Sequence, residues 1–441
     1  MLRIKSSAAA HAFYVDKGKV MIFRDRLTNG VRVVSEYMPG YRSAAMGVWI
    51  GAGSVYESGG ESGAAHFIEH MLFKGTKHRT AAKIAEDMDA VGGNLNAFTS
   101  KECTCFYGRV LDEQIGVLAD VLSDLLCDSL LADEDIEREK GVVCEEILMV
   151  EDTPEDLAGE VAVSAFYEGD PLAKPILGTK KSVRAFTHDG LVRYMDRLYR
   201  PDNMVISVAG SFERESLLKT LEASFRLSGS ASGARVAYGA HTPAVRVRLV
   251  NKNVKQVHIC MNLRGFPMDT RQSYALLLLS NAFGGSMSSR LFQRIREEEG
   301  LAYSVYSYPT AYKASGCFTL YAGTGVENAE KVARMMVKEV RLLAENGITP
   351  EELQRAKQQL AASFLLSQES TSGRASAIGR AELIRGSHLT EAEILEKISS
   401  VTMDDINGIL PAVCDLSDIS AAVVGRCKGQ DEMYRAIFAG E

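Results

Sequence analysis

His66, Glu69 and His70 stand in the order H-x-x-E-H, the residue types and spacing most able to do chemistry in this chain. They lie in AAHFIEHMLFKG, a segment rich in helix formers whose stop is marked by Gly75. At about 100° per residue, positions four apart on a helix differ by only about 40° around its axis, with Glu69 on the adjoining edge. Two imidazoles and a carboxylate therefore project from one face. Zinc binds neutral imidazole nitrogens readily, and a catalytic zinc takes three protein ligands while keeping one position open. A carboxylate beside such a metal is placed to accept the proton of an attacking water. With eight histidines in 441 residues, composition alone yields on the order of one accidental H-x-x-E-H in a hundred such chains. An exposed polar helix face, with Glu69 paired locally, is the other reading of these residues.

A third ligand has to come from elsewhere, and a carboxylate on a neighbouring helix is the natural donor. Residues 133–150, DEDIEREKGVVCEEILMV, read as a helix carrying Glu139 and Glu146. Seven residues is about two turns, so both face the same way. One can bind the metal while the other orients a ligand histidine. Glu137, Glu145 and Glu151 read as a solvated face.

Around these positions the chain divides near its midpoint. Residues 226–241, RLSGSASGARVAYGAH, have the Gly/Ser/Ala composition of a linker. This gives a metal-binding domain over 1–225 and a second domain over 242–441. The halves look alike. Helical patterns over 112–130 and 133–150 in the first match patterns over 326–345 and 349–366 in the second. A shift of 217 residues superposes Lys140 on Lys357 and Glu146 on Ser363, which points to duplication with loss of the metal motif in the second copy. Alternating strands are expected over 31–36, 44–50, 96–110, 245–250, 256–263 and 316–322. The fold class is α+β: two similar domains, each a mostly antiparallel sheet packed with helices.

Composition narrows the function classes. A net charge of −7 without a basic, aromatic-interleaved tract argues against nucleic acid. Apolar runs such as 275–279 are far too short for a membrane span. The N-terminal MLRIKSSAAAHAFYV is too interrupted for a secretory signal. A cytoplasmic setting is expected, with an organellar matrix as the alternative. The eight scattered cysteines, the Cys103/Cys105 pair included, read as reduced structural thiols. Serine and nucleotide chemistry lack a G-x-S-x-G elbow and a P-loop, and the glycines of GAGSVYESGGESG read as a turn leading into the histidine helix.

HFIEHMLFKGT at 66–76, with Glu146 downstream, resembles the metal site of the pitrilysin-type, or inverzincin, metallopeptidases. The likeness spans residues 25–430 and is strongest to the branch holding the catalytic subunit of mitochondrial processing peptidase and its bacterial relatives. The resemblance implies one Zn2+ per chain on His66, His70 and Glu146, with Glu69 as general base and Glu139 in support. NAFTSKECTCFYG, residues 96–108, resembles the family's substrate-pairing edge strand, which puts Asn96, Ala97 and Phe98 on the peptide. An unpaired strand edge is a template for an extended peptide on physical grounds as well, and an ordinary paired strand is the alternative. SRLFQRIREEEGLAYSVYS, residues 289–307, resembles the segment that supplies an Arg and a Tyr, here Arg296 and Tyr303, to the substrate carbonyl or the developing oxyanion. Asp156 and Glu160 fall where a basic substrate residue is read, and a solvated face is the other reading. Expected, then, is a zinc endopeptidase acting on extended peptides or unfolded segments inside a chamber, as a homodimer or a heterodimer. A noncatalytic structural or chaperone-like subunit on the same fold is the alternative.

Overall fold

The computed structural model describes residues 13–14, 21–229 and 236–439. The N-terminal stretch read for targeting signals, apart from Phe13 and Tyr14, and residues 230–235 of the expected linker lie outside the described residues. The rest of that linker, 226–229 and 236–241, has no helix or strand. Among the described residues no helix is long and apolar enough to cross a membrane.

The chain forms two compact units, each around one sheet. The first sheet contains β1 (Phe13–Tyr14), β2 (Met21–Arg26), β3 (Arg32–Tyr37), β4 (Ser43–Ile50), β5 (Asn94–Thr99), β6 (Thr104–Leu111) and β7 (Met204–Gly210). Its order is β1-β2-β3-β7-β4-β6-β5, antiparallel except for β3 with β7. The second contains β8 (Arg246–Asn251), β9 (Gln256–Arg264), β10 (Ala302–Ala311), β11 (Gly316–Gly325) and β12 (Ser420–Gly425). Its order is β10-β11-β9-β12-β8, antiparallel except for β12 with β8. In each, an edge hairpin (β5–β6 or β10–β11) is followed by an earlier strand (β4 or β9), and a late strand (β7 or β12) then inserts and pairs parallel with β3 or β8. The shared order is what a duplicated sequence should build.

The expected run over 96–110 is not one strand but the hairpin β5–β6. Ser100, Lys101 and Glu102 break the alternation, and the Ser100 hydroxyl donates to the Cys103 carbonyl at 2.8 Å while accepting the Cys103 N–H at 3.0 Å. A side chain that satisfies turn backbone in this way competes with the ladder and closes the bend. All eight cysteines are free, and burial raises the pKa of Cys103 and Cys105.

The contact-defined units also differ from the linear division at 225 and 242. The first comprises Met1–Cys144, Ile176–Arg235 and Leu365–Leu389; the second comprises Glu145–Pro175, Val236–Phe364 and Thr390–Glu441. Each sheet is therefore covered by a helix drawn from the other half of the chain. Helix Pro154–Phe166 lays Ala158 and Ala162 on Cys260, Ala422 and Val424 of the second sheet. Helix Thr371–Arg385 lays Ala375 on Ala45 and Ala209, and Ile378 on Val34, Trp49 and Val205, in the first. Ala375 and Gly379 stand 217 residues after Ala158 and Ala162, the spacing that relates the two halves. The helix in the first unit is further held by Arg374, which donates to the buried Glu36 carboxylate at 2.7 Å. A small-residue face permits close helix-to-sheet approach, and a charged pair removed from water needs its partner in place.

Candidate metal centre and active site

The histidine helix spans Ala64–Leu72. Its entry is shaped by Gly63, whose φ of +89° is the left-handed region that glycine adopts without strain, and a Cβ there would sit 2.6 Å from the Leu177 carbonyl oxygen. The buried Glu57 carboxylate accepts from the Gly63 and Ala65 N–H groups at 2.9 and 3.0 Å, placing a negative charge at the positive end of the helix. The glycine-rich stretch before this helix is thus the turn expected from the sequence. Phe67, Ile68, Met71 and Leu72 are buried and fix the rotation of the helix.

That rotation brings His66 and His70 side by side, with ring centroids 4.6 Å apart. One donor atom each from His66, His70 and Glu146 lie within 4.8 Å of one another. Glu146 is carried by the helix Asp133–Asp152, which runs without a break through the boundary between Cys144 and Glu145. Two turns earlier on the same helix, Glu139, only 2% exposed, meets His70 Nδ1 at 2.8 Å and Lys74 Nζ at 2.7 Å. Burial alone would raise the Glu139 pKa, but hydrogen bonds from His70 and Lys74 carry it below the usual carboxylate value. An ionised Glu139 makes His70 Nδ1 the protonated nitrogen and leaves Nε2 as the nitrogen whose lone pair could bind a metal.

The donor set fits zinc. His66 is 7% exposed, and burial, with the neighbouring His70 adding to it, pulls its pKa down to about 4, so it is a neutral imidazole near pH 7. Two imidazoles and one carboxylate are the ligands of a catalytic rather than a fully closed structural site. Glu69 lies on the same helix, and its Oε2 accepts from the Thr99 hydroxyl at 2.6 Å. The wholly buried Tyr199 is close by; burial, then the charge of Glu69, keeps its phenol protonated.

His78, Asp124 and Asp128 form a second group with donor atoms within 4.8 Å. Its carboxylates are already taken by cations, Arg79 on Asp124 at 2.7 Å and Lys77 and Arg226 on Asp128 at 3.0 and 2.6 Å. It is a salt-bridge node.

The remaining expected residues fall as follows. Asn96, Ala97 and Phe98 lie on β5, which is the edge of the first sheet. Asn96 and Phe98 are exposed, and Phe98 packs edge-on against Trp49 with centroids 5.7 Å apart. In the second unit, Arg296 lies in the π-helical turn Phe292–Glu298, over the rings of Phe292 and Tyr303 at 4.7 and 4.9 Å. Tyr303 is 75% exposed at the start of β10. Asp156 is exposed and Glu160 half-buried on helix Pro154–Phe166, where Glu155 accepts from the Tyr306 hydroxyl at 2.7 Å. Sequence reasoning missed Lys74 and Thr99. Lys74 had a signal, since it stands one helical turn after His70. Thr99 shares a strand face with Ala97 inside the strand already singled out.

Two imidazoles and a carboxylate able to hold a metal ion, on a two-sheet α+β scaffold, are features to set beside known proteins. Residues 32–180 match the insulinase family, peptidase family M16, and residues 185–360 match the peptidase M16 inactive domain. A protein named uncharacterized zinc protease YmxG from Bacillus subtilis is 42% identical over 391 residues, covering 88% of this chain and 95% of the relative. The uncharacterized zinc protease SCO5738 of Streptomyces coelicolor is 37% identical over 393 residues, covering 88% and 86%. The structure of a protease from Helicobacter pylori superposes with a TM-score of 0.86 at 20% identity, over 92% of this chain and 99% of that one. This chain belongs to the M16, pitrilysin-type family of zinc proteases.

Proposed function

We propose that the chain is a zinc endopeptidase that cleaves extended peptides or unfolded segments, with one zinc per chain held by His66, His70 and Glu146. The convergence of these three donors, from a helix and from a residue far along the chain, is the observation that carries the reading. When bound, zinc supplies a Lewis acid that polarises the scissile carbonyl and makes water acidic near neutrality. Glu69 takes the proton of the attacking water and returns it to the leaving amine nitrogen. Glu139, braced by Lys74, holds the His70 ring and its tautomer.

Substrate enters as an added strand along the β5 edge, where main-chain pairing tolerates many sequences, with Asn96, Ala97 and Phe98 as the contact surface. Arg296 and Tyr303 donate to the developing oxyanion, from the same chain or from a partner in a homodimer or heterodimer that encloses the peptide as processing peptidases do. Asp156 and Glu160 favour a basic substrate residue.

The test is a mixture of unfolded peptides incubated with zinc-loaded protein, with and without chelator, and read by mass spectrometry. Glu69→Gln is expected to retain zinc and lose turnover by roughly 10³-fold, within the range of general-base catalysis. Full activity in that variant would end the mechanism. Stoichiometric zinc without any cleavage would favour the noncatalytic subunit instead.

A further inference from the structure

Glu69 has three side-chain torsions and is only partly buried, so something must choose its orientation if it is to accept a proton at one place. We infer that Thr99 is that positioning residue: its hydroxyl, at the end of the edge strand, fixes the rotation of the Glu69 carboxylate and ties the general base to the strand that receives substrate. This rests on the peptidase reading above.

The hydrogen bond is short and has an ionic acceptor, Thr99 Oγ1 to Glu69 Oε2 at 2.6 Å, the kind that outweighs a neutral pair. Its direction is determined. A carboxylate only accepts, and the neighbouring Thr104 hydroxyl, 3.3 Å from Thr99 Oγ1, commits its own proton to the Ala52 carbonyl at 2.7 Å. The Thr99 proton therefore goes to Glu69.

The donor is also stiff. Threonine is β-branched, with few χ1 choices, and Thr99 is pinned in register opposite the fully buried Thr104 of β6. Along β5, Leu95, Ala97 and Thr99 share one face while the exposed Asn94, Asn96 and Phe98 share the other. A peptide adding to the free edge of this strand pairs with the same backbone that aims the Thr99 hydroxyl. Strand pairing and base orientation then have one common reference. Any residue that merely packs would need no hydroxyl here.

Thr99→Val keeps the shape and removes the donor, whereas Thr99→Ser keeps the donor. On a cleaved peptide, Thr99→Val is expected to lower kcat by about 10–100-fold, the size of a lost hydrogen bond to a charged group, with KM changed by less than about twofold and zinc content unchanged. Thr99→Ser should recover kcat to within about threefold of the wild type. An unchanged kcat in Thr99→Val, a Thr99→Ser enzyme as slow as Thr99→Val, or a rise in KM alone would each overturn the assignment. Crystal structures of wild type and Thr99→Val give a readout independent of turnover. Glu69 should hold one conformer in the first and several in the second, and a single unmoved conformer in Thr99→Val would overturn the inference even if the wild type proved unable to cleave peptides, a result that would strike the peptidase reading alone.

Discussion

In the first unit the helix that follows β4 carries His66, Glu69 and His70. In the second, the helix that follows β9, Arg271–Phe283, turns buried Ala275, Leu276, Leu279 and Phe283 toward its core. The difference recurs at the supporting helix. At the spacing of 217 residues, Glu139 corresponds to Ala356, which is buried among apolar neighbours, and Glu146 corresponds to the exposed Ser363. Both units keep the strand order and the exchanged covering helix. Sheet architecture thus depends on the apolar pattern and small residues, which both copies retain, while the group able to hold a metal ion is a handful of polar residues on one copy.

The sharpest way to break this comparison is to write the second half of the sequence into the first. Glu146→Ser is expected to lower zinc affinity by more than the roughly 100-fold that marks loss of a supporting partner, and to abolish cleavage, while the circular dichroism and melting profile stay close to wild type. Zinc retained at one equivalent in a competing chelator would show that Glu146 is not a ligand. Glu139→Ala, copying Ala356, should cost about 10–100-fold in zinc affinity, because His70 loses the acceptor that sets its tautomer. Competitive titration against a chromophoric chelator measures that loss, and an unchanged affinity would make Glu139 a purely structural anion.

The smallest expected effect sharpens the comparison from the packing side. Ala162 touches the second sheet through its methyl group, whereas at Gly379 a Cβ would lie 2.1 Å from Trp49 Nε1 and 2.6 Å from Ser207 Oγ. The indole, whose N–H donates to Ser207 at 2.9 Å, occupies the room that the methyl has in the other unit. Gly379→Ala should therefore destabilise the first unit by about 1–3 kcal/mol, the ordinary cost of overfilling a close-packed contact. Urea unfolding followed by Trp49 fluorescence tests it, and an unaltered midpoint would mean the helix can lift without penalty.

Much of this was legible in the sequence for physical reasons. The four-residue spacing of His66 and His70 fixes their common face, and the seven-residue spacing of Glu139 and Glu146 fixes theirs, because both depend only on local helix geometry. The 217-residue offset foretold the shared sheet order. What the sequence did not reveal is set by partners remote in the chain. The alanine faces of helices Pro154–Phe166 and Thr371–Arg385 announce burial but not the sheet that receives them, so the linear division at 226–241 and the contact-defined units place both helices differently. Thr99 reads as an ordinary strand threonine until Glu69, thirty residues away, is seen against it. The break at Ser100 was hidden because strand alternation resumes after only four residues.

The exchanged helices bear on how the chain is made. Val34, Trp49, Cys105 and Val205 lie beneath helix Thr371–Arg385 in the finished protein, yet a ribosome delivers all four long before Ile378. During synthesis the amino-terminal sheet therefore waits with an apolar surface uncovered, and its last contacts close only when most of the polypeptide has been translated. The sheet of the first unit is in this way completed by a helix from the carboxy-terminal half of the chain.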